Sequence, residues 1–193
     1  MMRQNRFFQK DYYYHLINRG NNQDIFLFKR DYKRFTSKLE YYSKKFLISI
    51  VAYALIPNHI HLLVKQGSEG TVSKFMQSLT TSYAAYFNNK HHRTGHLFQG
   101  RFKHIVVETD DYLVHLSRYI HLNPSSARLV SKPENYPWSS YRCYLDLEET
   151  NFINKKPILD YFSIKDKVMD YREFVDSRID YQKEISIQKL FLE

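Results

Sequence analysis

Along the chain the apolar positions switch repeatedly between the two-residue repeat of a strand and the 3.6-residue repeat of a helix. Tyr12-Tyr13-Tyr14-His15-Leu16-Ile17-Asn18 is rich in strand formers and stops at Arg19-Gly20-Asn21-Asn22, a turn signal, which predicts a first strand. From Asp31 to Phe46, Tyr32, Phe35, Leu39 and Tyr42 recur at helical spacing with lysines between them, the pattern of an amphipathic helix packed on a sheet. The run Ile48–Ile56, the turn Pro57-Asn58 and the run from His59 to Lys65 predict a hairpin. Gly67-Ser68-Glu69-Gly70 breaks the pattern. Val72, Phe75, Met76, Leu79, Tyr83, Tyr86 and Phe87 then restore the helical period over 71–89. A basic loop, Lys90 to His96, leads to a fourth strand over 101–108 around Ile105-Val106-Val107.

Strand, helix, hairpin, helix, strand is the order of an α+β, ferredoxin-like (RRM-like) fold: an antiparallel sheet with both helices on one face. The second half of the hairpin becomes an inner strand whose other face is open. Thr109-Asp110 can cap a third helix from Asp111 to Asn123, and Pro124 predicts its end. That helix is expected over the open face. Beyond Leu145 the chain turns acidic, and Val168, Tyr171, Val175 and Ile179 recur at helical spacing among charges. The expected division is therefore a catalytic domain over 1–145 and a helical C-terminal extension over 146–193, which either docks on the body or covers the cleft.

The formal net charge of +9 changes the picture of the partner, because lysine and arginine spread along the whole length favour a polyanion, nucleic acid first. The 17 tyrosines and 14 phenylalanines include stacking platforms for unpaired bases, though most such rings must be core. Cys143 is the single cysteine, which excludes an intrachain disulfide and Cys-x-x-Cys zinc ligation. No window reaches the length of a transmembrane helix, so a cytoplasmic protein with no membrane partner is expected.

The candidate chemistry lies in Pro57-Asn58-His59-Ile60-His61-Leu62-Leu63-Val64. Alternation sends Ile60, Leu62 and Val64 to one face and His59 and His61 together to the other, a metal-ligand geometry. A His-x-His-x-Asp-His hydrolase needs Asp and His where this chain has Leu63 and Val64, and a histidine-triad hydrolase needs a third His at Leu63. Any third ligand and any nucleophile therefore come from elsewhere. On a helical wheel of the third helix, Leu113, Leu116 and Ile120 form the apolar side, with Tyr112, His115, Tyr119 and Asn123 in an adjacent stripe. Tyr119 and Asn123, four residues apart, would present a phenol and an amide together to the two histidines.

Tyr14-His15-x-x-Asn18-Arg19-Gly20-Asn21, Pro57-Asn58-His59-Ile60-His61, Phe98-Gln99-Gly100-Arg101-Phe102, Arg118-Tyr119-Ile120-His121-Leu122-Asn123-Pro124 and Tyr136-Pro137-Trp138-Ser139-Ser140-Tyr141 occur in that order. Over about residues 10 to 145 the chain thereby resembles the single-tyrosine HUH transposases, most of all the REP-associated tyrosine transposases. It departs from that branch after the Asn-Pro, where Ser125-Ser126-Ala127-Arg128 replaces Val-Arg-Ala-Gly. The resemblance implies that His59, His61 and Asn123 ligate a divalent metal, magnesium or manganese, and that Tyr119 is the nucleophile. It implies nicking of single-stranded DNA beside a hairpin through a 5'-phosphotyrosine, followed by strand transfer, in a monomer or a helix-swapped homodimer. Lys65, His115 and His121 stand as candidates for a base. Lys90, His91, His92 and Arg93, with Arg101, Lys103 and His104, are the basic residues expected to meet DNA phosphates. The competing reading is a ferredoxin-like nucleic-acid-binding module with an unused site.

Overall fold

A computed structural model describes residues 8–67, 71–162 and 165–181. Residues 68–70 of the expected break, and 182–193 of the expected extension, lie outside the described residues. Four strands form one antiparallel sheet in the order β2-β3-β1-β4: β1 (Tyr13–Arg19), β2 (Ile48–Ile56), β3 (His59–Gln66) and β4 (Lys103–Val107). Helices α1 (Lys29–Lys45) and α2 (Val72–Lys90) follow β1 and β3, so the ferredoxin-like α+β expectation is borne out. The helix that follows β4 is α3 (Asp110–Ser126), with a short α4 (Tyr141–Tyr144), α5 (Lys156–Leu159) and α6 (Lys167–Asp176) after it.

The sheet separates two cores. Tyr14, Leu16, Ile60, Leu62 and Val64 pack under Phe35 and Leu39 of α1 and Phe75, Leu79 and Tyr83 of α2. Val51, Ala52, Ala54 and Leu63 pack on the other face against Leu113, Leu116 and Ile120 of α3 and Tyr171 and Val175 of α6. β2 is buried along both faces, which is why it reads as a continuous apolar run. Its alternation slips at Val51, where a bulge turns two successive residues, Val51 and Ala52, toward the second core. The outer edge of β2 is not left bare: Leu55 N–H donates to the Trp138 carbonyl at 2.9 Å, Ser140 N–H donates to Tyr53 O at 3.0 Å, and the Tyr136 hydroxyl donates to Leu55 O at 2.6 Å. The Tyr136-to-Tyr141 motif thus closes that edge.

One expectation is corrected. Pro124 does not end the third helix; α3 runs on to Ser126. Proline removes one intrahelical donor, yet Ala127 N–H still reaches Asn123 O at 2.9 Å, and the Ser125 and Ser126 hydroxyls both donate to Leu122 O, so the last turn keeps its bonding. The face opposite α1 and α2 is covered by α3, as expected, with α4 and α6 packed beside it. Of the extension, α6 docks on α3: Tyr171 and Val175 are fully buried, and the Arg118 guanidinium sits 4.1 Å from the centre of the Phe174 ring. α6 ends at Asp176, and Ile179 packs on the same core beyond it. Among the described residues no helix is long and apolar enough to cross a membrane.

Candidate active site

The turn before β3 is set by a close approach. At Gly20 an added Cβ would lie 2.2 Å from Gln23 O, and the Gly20 N–H donates to Asn58 O at 2.7 Å. That contact holds Asn58 against the end of β1, where its Oδ1 lies 2.6 Å from His59 Nδ1. Because a carbonyl oxygen can only accept, His59 carries its proton on Nδ1 and leaves Nε2 bare. Across the sheet Ile17 stands opposite His61, and Arg19 opposite His59. His15, Ile17, Arg19, His59 and His61 therefore share one face.

α3 brings the remaining groups down onto this face. The Thr109 hydroxyl accepts from Tyr112 N–H at 3.2 Å and starts the helix as expected. Asn123 Nδ2 lies 3.2 Å from His61 Nε2, and the same amide hydrogen-bonds the His59 ring and the Tyr119 phenol. The Tyr119 ring meets His61 edge-on at 5.8 Å between centres, and His15 edge-on at 6.2 Å. His59, His61, Tyr119 and Asn123 are thus brought together in a single chain, with the amide as their common contact.

Burial pushes the His61 ring well below the ordinary imidazole pKa, with His59 and His15 adding to the effect. His59 is lowered by burial and by Arg19, against the opposing pull of Asn123. Both rings are therefore neutral at neutral pH, the state in which imidazole can ligate a metal. Burial raises the Tyr119 phenol above its usual value, although its bond to Asn123 opposes this, so the tyrosine is held protonated. Among the described residues no cluster of three His, Cys, Asp or Glu side chains is arranged for a metal; here the donors are two imidazoles and an amide. Two neutral imidazoles meeting one amide fit a cation that accepts mixed nitrogen and oxygen ligands.

The three candidate bases are held by other partners. His121 is buried between Tyr171 Oη at 2.7 Å and Ser140 Oγ at 2.9 Å on the far side of α3. His115 pairs with Arg118 and packs on Phe174. Lys65 Nζ lies 3.6 Å from Asp11 Oδ1, four residues along β3 from His61.

The basic set divides. Lys103 is exposed on β4 and stands opposite Ile17, in one row with His61, so it projects from the imidazole face. Arg101 instead lines a cleft of about 880 Å³ between α2 and residues 95–102, with Asn18, Gln77, Thr81, Asn88 and Phe102. Lys90, exposed His92 and Arg93 lie at the C-terminal end of α2, with Arg93 against the Phe87 ring. His91 is internal, its Nε2 3.1 Å from Asp31 Oδ1 and its ring stacked on Phe28, so it supports the α1–α2 junction and is not available to DNA. His104 packs its ring near Phe8 and Phe102.

Sequence reasoning gave no role to His15 or Arg19. Their signal is the strand alternation itself, which puts positions 15, 17 and 19 on one face; that this face is the imidazole face depends on the β1–β3 register, which no local pattern specifies.

A family profile described as "Transposase IS200 like" matches residues 8–123. No curated protein matches the chain. Among solved structures, a REP-associated tyrosine transposase bound to a REP hairpin superposes with a TM-score of 0.62 at 17% identity, covering 80% of this chain and 94% of that one. A protein of Deinococcus radiodurans R1 described as a candidate transposase gives a TM-score of 0.44 at 18% identity, covering 62% of this chain and 95% of its own.

Proposed function

The chain belongs to the IS200-like transposase family, and from that premise we propose that it nicks and rejoins single-stranded DNA through Tyr119. The observation that carries the reading is the convergence of Tyr119, His59 and His61 on the Asn123 amide. The DNA is positioned by Lys103 and Arg19, exposed cations on the imidazole face that meet phosphates without reading bases. His59, His61 and the Asn123 oxygen, with the amide turned over, would hold magnesium or manganese. When bound, such an ion polarises the scissile phosphate as a Lewis acid.

Tyr119 Oη attacks phosphorus while the bond to the 3'-oxygen breaks, giving a 5'-phosphotyrosine and a free 3'-hydroxyl. One proton leaves the phenol and one joins the departing 3'-oxygen, so the step is neutral overall. Tyr119 is 39% exposed, and its proton passes to water. The ester bond is conserved in the intermediate, and a 3'-hydroxyl from the same or another strand reverses the attack. The REP-hairpin complex of the structural neighbour supports a folded-back hairpin as the substrate.

The test is incubation with hairpin oligonucleotides carrying single-stranded flanks, with Mg2+ or Mn2+. A protein–DNA adduct stable to denaturant is expected for the wild type and absent from Tyr119→Phe. Hairpin binding with no adduct under any condition would instead assign the chain as a binding module.

A further inference from the structure

His15 lies outside the proposed catalytic set, yet it is 3% exposed and its Nε2 stands 2.9 Å from His61 Nδ1. Two imidazole nitrogens at that distance share one proton, and the neighbouring groups decide which ring owns it. Asn123 presents its NH2 group to His61 Nε2 at 3.2 Å, and an NH2 group only donates, so that nitrogen is bare. It follows that His61 is protonated on Nδ1, and that His15 Nε2 is the acceptor.

We propose that His15 is a positioning residue that accepts the Nδ1 proton of His61, fixing the tautomer and ring orientation that aim His61 Nε2 into the space shared with His59 and Asn123. This rests on the reading of His59, His61 and Asn123 as a cation site. His15 is not itself a third ligand of that site, because it addresses the opposite nitrogen of His61. The strand register makes the contact possible: His15 pairs with Leu63, one step diagonal from His61, within reach of a ring on the same face. The stacked arrangement of the two rings, 5.1 Å between centres and 22° between planes, keeps the His61 ring from swinging about its Cβ–Cγ bond. A ligand imidazole oriented through its second nitrogen is a general requirement of metal sites, and loss of the orienting group costs about 10–100-fold in metal affinity.

The experiment compares wild type, His15→Gln, His15→Asn, His15→Phe and His61→Ala by Mn2+ titration, reading the electron paramagnetic resonance signal of the free aqua ion. A parallel long-range 1H–15N spectrum of histidine-labelled protein reads the His61 tautomer without any metal. A glutamine oxygen reaches the position of Nε2 and an asparagine oxygen does not. His15→Gln is therefore expected to retain Mn2+ affinity and the Nδ1–H form of His61, while His15→Phe and His15→Asn lose about tenfold or more in affinity and give a mixed tautomer. If His15→Phe does not fold, the Gln and Asn pair carries the comparison. Wild-type affinity in both His15→Phe and His15→Asn, with loss in His61→Ala, overturns the role of His15 alone. Equal Mn2+ binding by wild type and His61→Ala overturns the cation site, and the inference with it.

Discussion

Replacing Tyr171 by phenylalanine tests how the catalytic helix is anchored. Tyr171 Oη lies 3.0 Å from Ser117 Oγ and 2.7 Å from His121 Nδ1, and all three residues are completely buried. Ser117 donates its own proton to Val114 O at 2.7 Å, so Tyr171 must donate to Ser117 and accept from His121 Nδ1–H. His121 Nε2 then accepts from the Ser140 hydroxyl at 2.9 Å, and Ser140 accepts from Tyr53 N–H at 2.8 Å. Each donor is used once along a chain linking β2, the segment before α4, α3 and α6. Tyr171→Phe keeps the ring against Tyr144 and Phe162 and opens no cavity, but it strands one buried donor on His121 and removes the proton offered to Ser117. At about 1–3 kcal/mol for each unsatisfied buried group, the expected loss is about 2–6 kcal/mol. Guanidinium unfolding at pH 7.5 should show a lower midpoint at unchanged slope. Ser117 and His121 face the side of α3 away from Tyr119, so adduct formation well below the midpoint should persist. A loss of less than about 0.5 kcal/mol, below the range for one stranded group, would refute the proton accounting.

Three further outcomes follow from the same geometry. Burial lowers His121 to about 3 and His15 to about 4, whereas both titrate near the ordinary histidine value when unfolded. Their contribution is complete above about pH 6.5 and is lost as pH falls toward those values, by about 1.4 kcal/mol per pH unit for each group; His121→Gln should reduce the pH slope of stability by that amount between pH 6 and 5, and an unchanged slope would contradict it. Lys103→Ala should weaken single-stranded DNA binding and lower the slope of log K against log salt by about 0.7, the share of one phosphate contact; an unchanged slope would place Lys103 away from the strand. His91→Leu should leave that slope intact but lower stability by about 1.5–3 kcal/mol, through loss of its contact with the buried Asp31 carboxylate.

Periodicity alone placed the strands, α1, α2 and the start of α3, because each buries one clearly patterned face. It misjudged the end of α3, where serine hydroxyls compensate for the donor that Pro124 lacks. It also took charge or basicity as accessibility. His91 and His121 look alike in sequence to the exposed His92, yet one is held by Asp31 and the other by Tyr171 and Ser140, partners more than ten residues away. The pairing of His59 with His61 was legible because both lie on one strand. His15 was not, since its contact crosses from β1 to β3 and depends on register. Nor does local sequence specify the seat of α6, which is fixed by Tyr171 meeting residues on α3.

The most direct measurement is the identity of the residue that becomes linked to DNA. Wild-type protein is reacted with a flanked hairpin oligonucleotide and Mn2+, digested with nuclease and protease, and the nucleotide-bearing peptide is sequenced by mass spectrometry. The modification is expected on Tyr119, through a 5'-phosphate. A nucleotide on any other tyrosine, or a product ending in a 3'-phosphate, would contradict the account.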